Sequence, residues 1–323
     1  MKKRAGIGMV VAGFISLSTI AGCAATDSSK SSDEIPRIAS PSAVEAPLNK
    51  YVQTPQEDSI ILKARSILAG HCVQRYGLPR QGELTDPVTA MVRNPVPLYL
   101  SERGAATYGY RAPAQGSSAP SGSGDDAKRP LSAHKRRTID AIMNGWANTP
   151  KENALHSYRG RTVSRTGCIG ESDARLMTNT TRPRINGGQR VTSSTQILNL
   201  LLALKSEASD KTQADPRYRS MIRSWASCMR RAGHDYATPA DTQNAATHMP
   251  PTVSGGPSRA ERRLAQQDAS CQREVNYLGV VGRLTEIYQG KVVTEYRDTL
   301  TAVRKNIDER VAAAKKITEG DAA

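Results

Sequence analysis

Five cysteines place the tightest constraint on how this 323-residue chain can fold. The first, Cys23, closes an export-type leader, so an oxidising setting is expected for the other four: Cys72, Cys168, Cys228 and Cys271. An even remainder of that kind favours disulfides over free thiols, and four cysteines permit three pairings. The predicted helices select among them. Cys228 and Cys271 fall on consecutive helices joined by a loop, a hairpin that brings them together locally. Cys72 and Cys168 are then left to close a longer loop. Each bridge contributes about 2–4 kcal/mol, less any native strain. Metal binding is the competing use of cysteine, but no two stand at CxxC spacing and no histidine cluster completes a ligand set. Neither a metal nor a cofactor is expected.

The leader has two parts. Met1 to Arg4 is basic, and Ala5 to Ala21 is an apolar, small-residue run that holds the only phenylalanine, Phe14. Residues 1–22 therefore read as a secretory signal. The signal ends Ile20-Ala21-Gly22-Cys23 and resembles a bacterial lipobox, whose cysteine thiol takes a diacylglyceryl group as the peptide is cut just before it. The alternatives are an ordinary signal whose Cys23 pairs with another cysteine, or an uncleaved anchor. The anchor fails because the run is short and holds several Gly and Ser. Two acyl chains, at about 0.8 kcal/mol per buried CH₂, hold a membrane stably where one does not. Cys23 is thus expected to carry the lipid, on the outer face of the cell membrane. Loss of Lys2, Lys3 and Arg4 takes the formal charge from +15 to +12. Residues 23–49, rich in Ser, Pro, Asp and Ala, show no helical apolar stripe and are expected to form a flexible tether. The domain is then 50–323, and no later apolar run approaches the ~20 residues that span a bilayer.

Within 50–323 the periodicity is helical. Thr54-Pro55-Gln56-Glu57 combines an N-cap, a first-turn Pro and a capping-box Glu, and Ile60, Ala64, Ile67, Leu68 and Cys72 follow at helical spacing until Gly77 stops the run. Short helices are expected after Asp86-Pro87 and over 101–110. Residues 115–129 (QGSSAPSGSGDDAKR) are a low-complexity loop. Residues 132–146 are helical through Ile139, Ile142, Met143 and Trp146, 151–166 irregular, and 171–178 a short helix. From Ser193 a buried helix of about four turns runs through Ile197, Leu201 and Leu204. Asp215-Pro216 starts the next, with Met221, Trp225, Cys228 and Met229 on one face and Gly233 at its end. Residues 238–257 read as mostly loop, 258–275 as a helix with Leu264, Cys271 and Val275 inward, and 278–318 as one long C-terminal helix. A faint internal echo sets Cys72 and Cys228 each five residues before a helix-ending Gly. The fold class is mostly α: an irregular multi-helix domain with long loops, two disulfides and a long C-terminal helix.

The lipobox, "AGHCVQRYG", "GCIGESDAR", "RSWASCMRRAGHDY" and the "QQDASC" before a long helix together resemble a group of uncharacterised secreted lipoproteins of actinomycetes, over most of the chain from about Leu48. Those motifs are cysteines and helix ends. The resemblance implies location and fold, including bridged helix ends, and carries no activity.

Motifs of catalysis are missing. Neither GxxxxGK[ST] nor GxGxxG occurs, no HExxH spaces the five histidines, and there is no GxSxG. Ser132-Ala133-His134-Lys135 spells SxxK without its SDN and KTG partners. His234-Asp235 reads as a post-helix turn, and Glu171 and Asp173 as carboxylates at a helix N-terminus, complementing its dipole. Two Trp and one Phe provision an aromatic sugar cleft poorly. The remaining lead is charge: 134–137, Arg159, Arg161, Arg217, Arg219, Arg230, Arg231, Arg259, Arg262, Arg263, Lys315 and Lys316. Outside the cell the available polyanions are lipid headgroups and phosphate-bearing wall polymers, and nucleic acid is excluded by compartment. The expected function is non-catalytic binding of envelope polymer or a partner protein. The alternative is an envelope hydrolase with an unrecognised site. A transporter's solute-binding component would need two lobes of alternating strands and helices, and the strands are missing.

Overall fold

Most helices start at a side-chain cap that the sequence spells out. Thr54 Oγ1 accepts from the Glu57 N–H at 3.2 Å while the Glu57 carboxylate accepts from the Thr54 N–H at 2.8 Å, the reciprocal box expected there. Ser101, Ser132, Ser193, Asp215, Thr238 and Ser258 cap later helices by accepting a first-turn N–H on their side-chain oxygens, and Thr238 forms a second reciprocal box, with Asp241. The computed structural model describes residues 35–80, 82, 84, 92–111, 132–253 and 255–320. Cys23 and the leader, the start expected at Asp86-Pro87 and the low-complexity loop at 115–129 lie outside them. The described residues form ten helices: α1 (Pro55–Arg75), α2 (Glu102–Tyr108), α3 (Ala133–Asn144), α4 (Gly167–Leu176), α5 (Ser194–Ala214), α6 (Pro216–Arg231), α7 (Pro239–Thr247), α8 (Arg259–Glu274), α9 (Tyr277–Glu295) and α10 (Arg297–Gly320). A two-residue ladder joins β1 (Ser157–Tyr158) to antiparallel β2 (Arg161–Thr162), with Ser157 opposite Thr162. Arg159 (φ 49) and Gly160 (φ 76) both take the positive φ of a tight primed hairpin turn, within a stretch expected to be irregular.

The central core lies between α5, α9 and α10, where Ile197, Leu201 and Leu204 meet Val292, Leu300, Val303 and Ile307. α1 packs on α10 and α4 through Ile61, Ala64, Leu176 and Ala314. Three expectations are corrected. First, the tether ends earlier than Asn49, because 35–49 is folded onto α9. Val44 and Leu48 are buried, and the Leu48 N–H donates to Gln289 Oε1 at 3.1 Å. Prolines set short 3-10 turns at Pro41–Ala43 and Pro47–Tyr51, so apolar residues reach the core without helical spacing. Gly279 and Gly282 of α9 make room: a Cβ on the first would collide with the Pro36 carbonyl, and one on the second would press on Ile38 and Val44. Second, the C-terminal run is two helices. Tyr296 (φ −104, ψ 25) leaves helical geometry while its N–H and carbonyl still bond to Val292 and Leu300, both at 2.9 Å. The apolar spacing crosses this joint unbroken. Third, 238–257 contains α7, a polar helix that opens with a Thr-Pro-x-Asp box.

α8 buries polar groups on the same face as Leu264 and Cys271. Glu261, Asp268 and Gln272 are all inaccessible to solvent. Asp268 Oδ1 accepts from Trp225 Nε1 (2.9 Å) and Gln272 Nε2 (3.0 Å). Its Oδ2 meets the hydroxyls of Tyr110 (3.0 Å) and Thr242 (2.9 Å). Thr242 Oγ1 also stands 2.7 Å from the Pro239 carbonyl, and one hydroxyl proton cannot serve both contacts. A proton on Oδ2 satisfies the second. Burial pushes the Asp268 carboxyl up, in agreement with that count.

Because the folded pKa of Asp268 lies above the unfolded value of about 3.9, its contribution to stability is full below that pH and is lost as pH rises through the folded value. Asp268→Asn keeps the shape of the protonated acid and does not titrate. Its urea stability relative to the native chain is therefore expected to improve as pH rises above about 4, until the folded carboxyl has ionised. Asp215, whose carboxyl the hydrogen bonds from Arg217 hold well below the usual range, slopes the other way in both proteins and cancels. Asp268→Ala strands the Trp225 and Gln272 donors and is expected to cost on the order of 3 kcal/mol. A pH-independent difference between D268N and the native chain would contradict the protonated assignment.

Candidate functional site

The two expected disulfides are present. Cys72 in the last turn of α1 bridges to Cys168 in the first turn of α4, with Cα atoms 5.6 Å apart. Cys228 near the end of α6 bridges to Cys271 of α8 at 5.7 Å. Each lies inside its own apolar cluster. Val73, Tyr76, Ile139, Ile142 and Val163 surround the first, and Trp225, Met229 and Leu264 the second. The first is reinforced where Gly145 and Gly167, both with positive φ, bring the end of α3 and the start of α4 into backbone contact, so that a Cβ on either would strike the other's main chain.

The side chains with catalytic-type spacing serve structural contacts. Ser132 Oγ accepts from the Lys135 N–H at 3.3 Å as the cap of α3, so SxxK here is a helix start. Glu171 pairs with Arg75. Asp173 accepts from the Ser194 hydroxyl and lies 3.8 Å from the Arg310 guanidinium. Both carboxylates were expected at a helix N-terminus. α4 begins earlier, at Gly167, which puts them in its middle. His234 and Asp235 share no hydrogen bond among the described residues; the His234 ring instead faces Tyr236. No group of three His, Cys, Asp or Glu there could hold a metal, and no helix there is long and apolar enough to cross a membrane.

The charge is concentrated on α3, the hairpin and the segments that join them to α4. Residues 133–166 carry seven Lys and Arg against two acids, Asp140 and Glu152. All seven cations are exposed, and none forms an ion pair among the described residues. Arginines elsewhere behave differently: Arg111, Arg217, Arg231 and Arg304 are each paired with a carboxylate. The hairpin turn lifts Arg159 beside Tyr158, its guanidinium 5.4 Å from the ring centroid, with Arg161 on the returning strand. Trp146 was expected to close the α3 face but falls beyond Gly145, which ends the helix, and the residue is 36% exposed. Arg165 lies 5.9 Å over that ring and His156 stands 5.1 Å away, centroid to centroid. The Asn144-Gly145 stop was the signal that could have freed this Trp from the helix. The result is a stretch of exposed cations, of which Arg165 lies over an exposed indole, close to the first disulfide.

Compared with family models, curated proteins and solved structures, the chain matches none.

Removing each bridge as a Cys→Ser pair separates the two closures. Sequence separations of 96 and 43 residues correspond, in the chain-entropy model, to about 4.7 and about 4 kcal/mol. Urea midpoints are expected to fall for both pairs, and further for Cys72/Cys168. A Cys72–Cys228 peptide in a non-reducing map would contradict the pairing, and an unchanged midpoint in either variant would contradict its role.

Proposed function

We propose that this chain is a lipid-anchored protein of the outer face of the cell membrane that binds anionic envelope polymer, without turnover, through the surface formed by α3, the β1–β2 hairpin and the start of α4. The observation that carries the reading is the run of seven exposed cations without a carboxylate partner among the described residues. Solvated charge usually comes mixed in sign, and elsewhere on this protein many arginines are neutralised within the fold. A patch left unneutralised beside an exposed indole suits a partner that brings the negative charge itself. Two acyl chains on Cys23 keep that patch at the membrane, where phosphate-bearing polymers and anionic headgroups are concentrated.

The reading makes salt the deciding variable, because exposed charges are screened beyond about 8 Å at physiological ionic strength. The native protein is expected to co-sediment with purified cell wall at low salt and to be released at high salt. With about 1 kcal/mol per cation near an anionic surface, Arg159, Arg161 and Arg165 changed together to Gln weaken low-salt binding on the order of a hundredfold. Cys23→Ala is expected to release the protein from membranes or leave its precursor uncut. Salt-insensitive binding would point to a specific protein partner instead, and wall or ester hydrolysis by the same preparation would reveal an enzyme.

A further inference from the structure

A second feature lies on the other disulfide group. Where α6 ends, Gly233 (φ 84) allows the His234 N–H to reach the Met229 carbonyl at 2.9 Å, and the chain turns back along α8. That turn carries His234 and Tyr236 with their rings 28° from parallel and 6.5 Å apart. Facing them, Arg263 and Gln267 project from successive turns of α8, with Gln266 beside them, over a floor of Leu264 and Met249. The cleft so formed has a volume of about 530 Å³, inside the range of about 300–1,000 Å³ of small-ligand sites. The Cys228–Cys271 bridge joins the end of α6 to α8 and fixes the aromatic wall against the polar one. Gln267 is further oriented by a contact of 3.5 Å from its amide nitrogen to Cys271 Sγ.

The chemistry of these walls is specific. Among the described residues, the side chains of His234, Tyr236, Arg263 and Gln266 make no hydrogen bond or ion pair, and no carboxylate lines the cleft. The stacked rings of His234 and Tyr236 line the cleft with aromatic surface, and the negative face of such a ring attracts the polarised C–H bonds along one side of a sugar ring. Neighbouring amides offer a donor and an acceptor to adjacent hydroxyls. The Arg263 guanidinium is a planar fork for a carboxylate or a phosphate. A purely apolar ligand would bury these groups unpaired, and a neutral sugar would leave the cation unused.

We infer that the cleft between the post-α6 turn and α8 binds a saccharide that bears an acidic group, with His234 and Tyr236 as its stacking wall, Gln266 and Gln267 as hydroxyl partners and Arg263 as the anion contact. This inference is independent of the cationic surface on α3 and the hairpin.

Calorimetry on the full-length protein with four probes tests it: a uronic acid tetrasaccharide, a hexose phosphate, a neutral hexose tetrasaccharide and inorganic phosphate. Either or both acidic sugars are expected to bind at least tenfold more tightly than the neutral sugar and inorganic phosphate, and which of the two binds identifies the acidic group. Backbone amide shifts are expected at 234–236 and 263–267. Arg263→Gln, a change at an exposed side chain, is expected to erase the preference for acid while keeping the neutral-sugar affinity. Tyr236→Ala should weaken all sugars at least tenfold. Failure of both acidic sugars to bind, equal binding of inorganic phosphate, or acid preference unchanged in R263Q would overturn the assignment. Arg159, Arg161 and Arg165 changed to Gln should leave these titrations as they are, whatever becomes of wall binding.

Discussion

Cys72 and Cys228 sit in matching local settings: near the end of a helix begun by Pro, five residues before a glycine of positive φ, and bridged to a helix that packs alongside. The smaller apolar clusters around them, and the surfaces those clusters support, depend on these two closures. Only 38% of the chain is hydrophobic, and the apolar side chains divide into separate clusters instead of one continuous core. The cluster between α5, α9 and α10 is built from Leu, Ile and Val at helical spacing and needs no covalent help. The clusters around the bridges are smaller and include the sulfurs themselves, the regime in which cross-linking replaces apolar area.

What is displayed follows from that division. The α5–α9–α10 cluster is assembled by helices, whereas the candidate binding surfaces lie on turns next to bridged helices: the hairpin leads into α4, and the His234 turn leaves α6. The β1–β2 hairpin and Trp146 belong to the first group; His234 and Tyr236 belong to the second. Turns carry function well only when their anchor points are rigid. At the second group, rigidity also comes from Asp268, which holds Trp225 of α6, Thr242 of α7 and Tyr110 onto α8. An acid buried among neutral donors fixes the register of these elements more sharply than another leucine could, at some cost in stability.

Much of the helical scaffold was legible. Thr54-Pro55-Gln56-Glu57, Asp215-Pro216 and the leucine run from Ile197 each state a boundary or a face through local physics; the disulfide pairing is as expected, although α7 separates the two helices that were expected to be consecutive. α7 was missed because its nine residues bury little beyond Pro239, Thr242 and Ala246, so apolar periodicity is weak although Thr238-Pro239-Ala240-Asp241 repeats the start signal of α1. The order in 35–49 was illegible because Val44 and Leu48 are buried by contacts with α9, more than two hundred residues away. Tyr296 breaks a run whose apolar spacing is continuous, so periodicity carried no signal of the joint. Of the candidate surfaces, the charges could be read off directly, but not which of them the fold neutralises. Arg111 finds Glu261 and Arg304 finds Glu57 across 150 and 247 residues, while Arg159, Arg161 and Arg165 meet no carboxylate among the described residues.

Amide hydrogen exchange on the oxidised and the fully reduced protein is the most direct test of the claim that two bridged helix ends carry the binding surfaces on an otherwise self-sufficient core. Reduction is expected to raise exchange in α3, the hairpin and α4, and in the turn at 233–236 with α7, while α5, α9 and the first half of α10 keep their protection. Uniform loss of protection on reduction would contradict the claim, since every cluster would then depend on the bridges alike; so would unchanged exchange at 156–168 and 233–236.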